Sequence, residues 1–171
     1  SRRRQRQMCI RDRSETLHLM IQSGRRLNLL ISNLLDLTAL REHRLNVNPE
    51  LCYLQPIVRS AVDLINVQFS AKNIRIENQV SEFVLPVHGD PSRIEQVLLN
   101  LLYNACKFTS EGCVQIRSAT DDESLRTEIH DSGPGVRDGD HQLIFEAFEQ
   151  ENPTMTEGLG LGLSISKKII E

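Results

Sequence analysis

Asp90-Pro-Ser-Arg-Ile-Glu-Gln-Val-Leu-Leu-Asn-Leu-Leu-Tyr-Asn-Ala-Cys-Lys-Phe-Thr109 reads as a helix with two distinct faces. Asp90 can cap it with a carboxylate, and Pro91 suits the first helical position, where an N–H has no partner within the helix. The helix is expected to reach about Phe108. Ile94, Val97, Leu98, Leu101, Leu102, Ala105 and Phe108 form a broad apolar face. Gln96, Asn100, Asn104 and Lys107 recur at i, i+4, i+8 and i+11 and form a second, polar line. Asparagine is a poor helix former, so a pair one turn apart weakens the helix unless the carboxamides are used. A carboxamide oxygen can ligate a hard cation such as Mg2+, and a lysine one turn further on can meet phosphates carried by that cation. Taken alone, a solvated helix face with two incidental asparagines accounts for the segment equally well.

Two later segments carry compatible chemistry. In Leu125-Arg-Thr-Glu-Ile-His-Asp-Ser-Gly-Pro-Gly135, alternation puts Leu125, Thr127, Ile129 and Asp131 on one side of a strand. The strand then ends with a carboxylate on its apolar face, which is costly unless the carboxylate accepts hydrogen bonds. A ligand amino group, such as the exocyclic nitrogen of adenine, would satisfy it. An Asx turn leading into Gly133 and Gly135 needs no ligand. In Glu157-Gly-Leu-Gly-Leu-Gly-Leu-Ser-Ile-Ser166, alternating glycines leave backbone N–H groups open at a helix N-terminus, an anion site of modest specificity. It is not a Walker A loop, because Gly-Lys-Ser/Thr is missing, and it lacks the spacing and the preceding strand of a dinucleotide fold.

Outward from these segments, a long amphipathic helix is expected from Ser14 to about Arg44, on the 3-4 spacing of Leu17, Met20, Gly24, Leu27, Ile31, Leu34 and Thr38. At roughly 1.5–3 kcal/mol per buried apolar side chain, five or six such residues represent about 10 kcal/mol, so the stripe demands a partner helix. A second helix is expected from Pro56 to about Phe69, with Ile57, Ala61, Leu64, Ile65 and Gln68 on one side. Strands are expected at Ile74 to Val80, more weakly at Phe83 to Val87, and at Cys113 to Ala119 and Leu125 to His130 around the acidic turn Asp121-Asp122-Glu123. A short apolar helix around Ile144 to Phe148 and a closing helix from Leu163 to Ile170 complete the pattern.

Composition removes several classes of function. The chain has 171 residues, 39% hydrophobic and 25% charged, enough for one compact core and an appended element. No run approaches the ~18 apolar residues of a membrane helix, so no direct membrane contact by this segment is expected. Cys9, Cys52, Cys106 and Cys113 show no Cys-x-x-Cys pair, so neither zinc nor a disulfide framework is indicated and a reducing, cytoplasmic setting is expected. Residues 1–13 hold six arginines and one aspartate, leaving a charge of -8 on the remainder, and nucleic acid is not an expected partner. That opening is similar to translated adapter read-through and is set aside as non-native or disordered.

In this order and spacing the segments acquire a common meaning. Asp90 to Thr109 resembles the N box of sensor histidine kinases, Asp131-Ser-Gly-Pro-Gly-Val136 their G1 box, Ile144-Phe-Glu-Ala-Phe-Glu-Gln150 their F box, and Gly158-Leu-Gly-Leu-Gly-Leu-Ser-Ile-Ser166 their G2 box. The resemblance covers about Ser14 to Glu171. It implies an α/β (α+β) two-layer sandwich of the histidine-kinase ATPase type, one mixed sheet under three helices, within the gyrase, HSP90, histidine-kinase and MutL superfamily. Residues 14–48 would be the second helix of a dimerisation and phosphoacceptor hairpin, and residues 49–171 an ATPase domain cut short at its C-terminal end. By matching position, Asn104 would ligate Mg2+, Asn100 would help hold metal and phosphates, and Lys107 would contact phosphate. Phe108 would lie near the adenine, Asp131 would accept from its amino group, and Gly133 and Gly135 would shape the pocket. Val136 to Glu157 would be a mobile lid anchored by Phe145 and Phe148. Gly158, Gly160, Leu161, Gly162 and Leu163 would cradle the phosphates through their backbones. The implied activity is that of an ATP-dependent protein histidine kinase of hybrid type, working by positioning and charge neutralisation. Its implied partners are ATP, a receiver domain or response regulator, and a second copy joined through the N-terminal helix.

Some features depart from the family pattern. The phosphoacceptor stands in a His-Glu/Asp-x-x-Thr/Arg-Pro context, and none of His18, His43, His88, His130 and His141 has those neighbours. The chain is therefore expected to be a fragment unable to phosphorylate itself. Leu159 replaces a small or hydroxyl residue, and the lid carries one basic residue, Arg137, against six acidic ones. Two alternatives compete: a non-catalytic nucleotide-binding or dimerisation module, and another ATPase of the superfamily. The latter carry a glutamate base where Asn100 stands, which argues for the kinase branch.

Overall fold

The computed structural model describes residues 20, 24, 31, 35, 38, 39, 47–120, 124–137, 139–147 and 160–171. The chain divides into two compact units, Ser1–His43 and Arg44–Glu171. In the first, Met20, Gly24, Ile31, Leu35, Thr38 and Ala39 are helical. The remainder of the expected long helix, its dimerisation seam, the arginine-rich opening and the acidic turn at 121–123 lie outside the described residues.

The second unit runs β1 (Glu50–Cys52), α1 (Leu54–Gln68), β2 (Asn73–Asn78), β3 (Val87–Gly89), α2 (Pro91–Phe108), β4 (Glu111–Thr120), β5 (Leu125–Asp131), a 3-10 turn (Leu143–Phe145) and α3 (Gly162–Ile170). β2 pairs in parallel with β4, from Asn73 opposite Glu111 to Asn78 opposite Ile116, and β4 pairs antiparallel with β5. This is a mixed sheet. A separate antiparallel ribbon, β1 with β3, sets Glu50 opposite Gly89 and Cys52 opposite Val87. The core lies where Val58, Ala61 and Ile65 of α1 and Leu98, Leu102 and Cys106 of α2 meet Val114 and Ile116 of β4, all buried.

Local chemistry accounts for each boundary. Asp90 caps α2: Oδ1 accepts from Ser92 N at 3.0 Å and Arg93 N at 3.2 Å, while Oδ2 accepts from Asn48 N at 2.9 Å. α2 ends at Phe108, as expected, with Thr109 N donating to Ala105 O at 3.0 Å. α1 starts two residues before Pro56, which still falls in the first turn, where a missing N–H is harmless. Its inward face differs from the expected one. Leu54, Val58, Ala61, Val62 and Ile65 are buried, whereas Leu64 and Gln68 face outward, because two valines one turn apart complete a stripe against α2 and β2. The expected strand at Phe83 to Val87 does not form. Pro86 interrupts it, β3 begins only at Val87, and Phe83 is 93% exposed. Of the short helix expected at Ile144 to Phe148, the described residues show a 3-10 turn at Leu143–Phe145. The second unit is thus an α/β fold with helices packed on a mixed sheet, as expected; among the described residues that sheet has three strands, and a two-stranded ribbon stands beside it as a separate sheet.

Candidate functional site

The α2 helix is the spine to which the other segments attach. Asn100, only 9% exposed, donates through Nδ2 to Gly162 O and to Ser166 Oγ, each at 3.4 Å. The first asparagine of the polar line therefore grips the opening turns of α3, and Ser166, itself buried, completes the grip. Asn104 and Lys107 continue the line and are half-buried. Lys107 Nζ stands 4.9 Å from the centroid of the Phe108 ring, a cation–π pair. Phe108 is 44% exposed, so it belongs to this open side and not to the apolar core face on which periodicity put it. The reason is its position in the last residue of the helix, beyond the sheet contacts that cover Ala105 and Cys106.

At the other end of the site, Asp131 Oδ1 accepts from Gly133 N at 2.9 Å, an Asx turn closing β5. A side chain at Gly133 would put Cβ 2.7 Å from Asp131 Oδ1 and 3.3 Å from Phe108 O. Glycine is thus required there, because the turn lies directly against the end of α2. Gly135 has φ of 74°, a left-handed conformation that favours glycine. Leu125, Thr127 and Ile129 are half-buried as alternation demands, but Asp131 is exposed rather than enclosed. The apolar side of β5 gives out before its last residue, which leaves the carboxylate open to a ligand.

Ser132 locks this turn to the sheet. Its Oγ accepts from Cys113 N at 3.1 Å and donates to Glu111 O at 3.2 Å, while its N–H donates to Cys113 O at 3.2 Å. Gly112, with φ of 116°, makes room, since a Cβ there would collide with Ser132 Oγ. Between the two ends, burial pushes the Cys106 thiol up to about 11; nearby Lys72 opposes that rise and Asp131 adds to it.

Of the remaining expected residues, Gly160 has φ of 68°, Leu161 is buried, and Gly162 and Leu163 are half-buried at the start of α3. Phe145 lies in the 3-10 turn with Lys167 Nζ of α3 5.8 Å from its ring centroid. Gly158, Leu159 and Phe148 lie outside the described residues. Ser132, Ser166 and Lys72 escaped the sequence reading. Ser166 could have been suspected one turn after Gly162, whereas Lys72 has no local signal. Among the described residues, no cluster of three His, Cys, Asp or Glu side chains could hold a metal, and no helix is long and apolar enough to cross a membrane.

Residues 89–171 match the family model for the histidine kinase-, DNA gyrase B-, and HSP90-like ATPase. The catalytic domain of histidine kinase ThkA shares the fold with a TM-score of 0.64 at 30% identity, over 72% of this chain and 80% of that one. The chain belongs to this ATPase family. Full-length ShkA in complex with AMPPNP gives a TM-score of 0.75 at 31% identity, covering 86% of this chain and 31% of that one. Sensor protein TorS of Escherichia coli is 32% identical over 92% of this chain and 17% of its own length. Sensory/regulatory protein RpfC of Xanthomonas campestris is 32% identical over 94% and 23%. The chain thus spans about a fifth of the length of these two curated relatives. Within that span lies the ATP-binding catalytic region of the histidine-kinase ATPase domain.

Proposed function

We propose that this ATPase domain binds Mg2+-ATP and presents the γ-phosphoryl group to a histidine, as part of a hybrid sensor histidine kinase in a two-component phosphorelay. One observation carries the reading: a single helix, α2, is tied at Asn100 to the glycine-led start of α3 and abuts the Asp131–Gly133 turn at its end. One element can then hold both ends of a purine triphosphate. Asp131 would accept from the adenine amino group, and Phe108 would offer an apolar edge to the base. Lys107 would neutralise phosphate charge, while the N–H groups of Gly160 to Leu163 would donate to phosphate oxygens at the positive end of α3. The carboxamide oxygens suit Mg2+: Asn104 would ligate it, and Asn100, whose nitrogen is engaged with Gly162, keeps its oxygen for the same task. A bound Mg2+ would offset the charge of the phosphates.

No histidine of the chain stands in an acceptor context, so the phosphoryl group would pass to a hairpin histidine elsewhere and then to a receiver domain. Pairing of two copies through the N-terminal helix would bring acceptor and ATP together, in the cytoplasm where ATP is supplied. Calorimetry with Mg2+ and a non-hydrolysable ATP analogue tests the binding step. Asp131→Asn should weaken affinity by about 100-fold, because the amide either turns its nitrogen towards the adenine donor or offers a neutral acceptor in place of a charged one. Unchanged affinity would refute the site. Adding γ-labelled ATP and a family hairpin should yield acid-labile label on the hairpin. Stoichiometric binding without transfer would favour a non-catalytic module.

A further inference from the structure

The end of α2 has an unusual cap. Thr109, its C-cap residue, is extended at φ of -82° and ψ of 124°, and no glycine follows to turn the chain back over the last carbonyls. Those carbonyls would otherwise look to solvent. Lys72, in the loop between α1 and β2, reaches them instead. Its Nζ donates to Cys106 O at 2.8 Å, Lys107 O at 2.8 Å and Thr109 O at 2.9 Å. An ammonium group has three donors, and here all three are used. The positive charge also sits at the negative end of the helix dipole. The stem passes Phe69, with Nζ 5.5 Å from the ring centroid, and Phe69 packs edge-on against Tyr103 of α2 at 5.4 Å.

We propose that Lys72 is a positioning residue for the nucleotide site, holding the end of α2 so that Lys107 and Phe108 keep their placement against the Asp131–Gly133 turn. The contact that transmits this is the Phe108 carbonyl, flanked on both sides by carbonyls bound to Lys72 and lying against Gly133. A frayed helix end would move the phosphate-side lysine and the adenine-side turn independently. The proposal rests on the nucleotide reading above, and it assigns Lys72 no contact with the nucleotide.

The test compares Lys72→Arg and Lys72→Met in the 171-residue chain, by calorimetry with Mg2+ and the non-hydrolysable ATP analogue at a temperature where circular dichroism shows each variant folded. Arginine keeps the charge but spreads its donors in a plane, so it should reach fewer of the three carbonyls and weaken binding about threefold; methionine should weaken it about tenfold. A purely structural cap would lower the melting temperature and leave the affinity of the folded variants unchanged. Wild-type affinity in folded Lys72→Met, or in Lys72→Arg if the methionine variant does not fold, overturns the assignment. If the unsubstituted chain binds no analogue, the nucleotide reading falls, and this proposal with it.

Discussion

Asp90 shows how much one side chain can organise. Three N–H groups and one hydroxyl donate to its carboxylate, first among them the Asn48 N–H, and together they hold its pKa down at about 2, below the ordinary 3.8. Replacing it by alanine should lower the unfolding free energy by about 1–2 kcal/mol in urea melts, the usual cost of a lost cap. The sign of the pH effect follows from the lowered value: the stabilisation is complete above about pH 4 and disappears as pH falls towards 2. The stability gap between the native chain and Asp90→Asn should therefore shrink over that interval. Cys106 makes a different prediction, because burial raises its thiol to about 11. Cys106→Ser should leave thiol labelling of the folded protein near neutral pH unchanged and remove one reactive group after denaturation. The local part of the Asp90 cap was legible in the sequence because Ser92 and Arg93 are its neighbours in the chain, whereas the Asn48 N–H comes from 42 residues away. The Lys72 cap was not legible, since its acceptors lie 34, 35 and 37 residues away.

The packing of α1 on α2 makes the central energetic claim about the helices. Leu102 is fully buried between the helices and the sheet, and Leu102→Ala should cost about 2–5 kcal/mol in denaturant unfolding, since the surroundings can close only part of the cavity. Leu64→Ala, on the outer side of α1, should stay within about 0.5 kcal/mol. That pair of variants distinguishes the observed face of α1 from the one expected from its periodicity. The sequence of α1 is apolar over more than one stripe, with Ile57, Leu64 and Val67 competing with Val58 and Val62, so only the neighbouring elements decide which stripe turns inward. α2 was easier to read, having an unambiguous cap and a single wide apolar face. The β1–β3 ribbon was unreadable for the opposite reason: three residues per strand contain too little alternation to register. The glycine turns stood out as turns, but that Gly133 must be glycine because the α2 carbonyl of Phe108 approaches it is a fact of packing.

Site and core share α2, so ligand binding and stability should be coupled across the whole domain. With the ATP analogue and Mg2+ present at about 100 times the dissociation constant, unfolding should become harder by about 2.7 kcal/mol, and chelating the metal should remove most of the gain. Urea melts with and without chelator measure this directly. The order of the four boxes made the family readable from the sequence; the grip of Asn100 on α3 and the exposure of Asp131 depended on distances between segments far apart in the chain. The same holds for the parallel pairing of β2 with β4. Parallel neighbours need a crossover, and here the crossover includes α2 itself, so pairing of the two strands closes a loop that contains the helix. During synthesis, β2 must wait for this partner until the chain has emerged beyond Ile116. An error in α2 would therefore be felt by the nascent protein as delayed sheet closure and exposure to chaperones or proteases, well before any nucleotide is met.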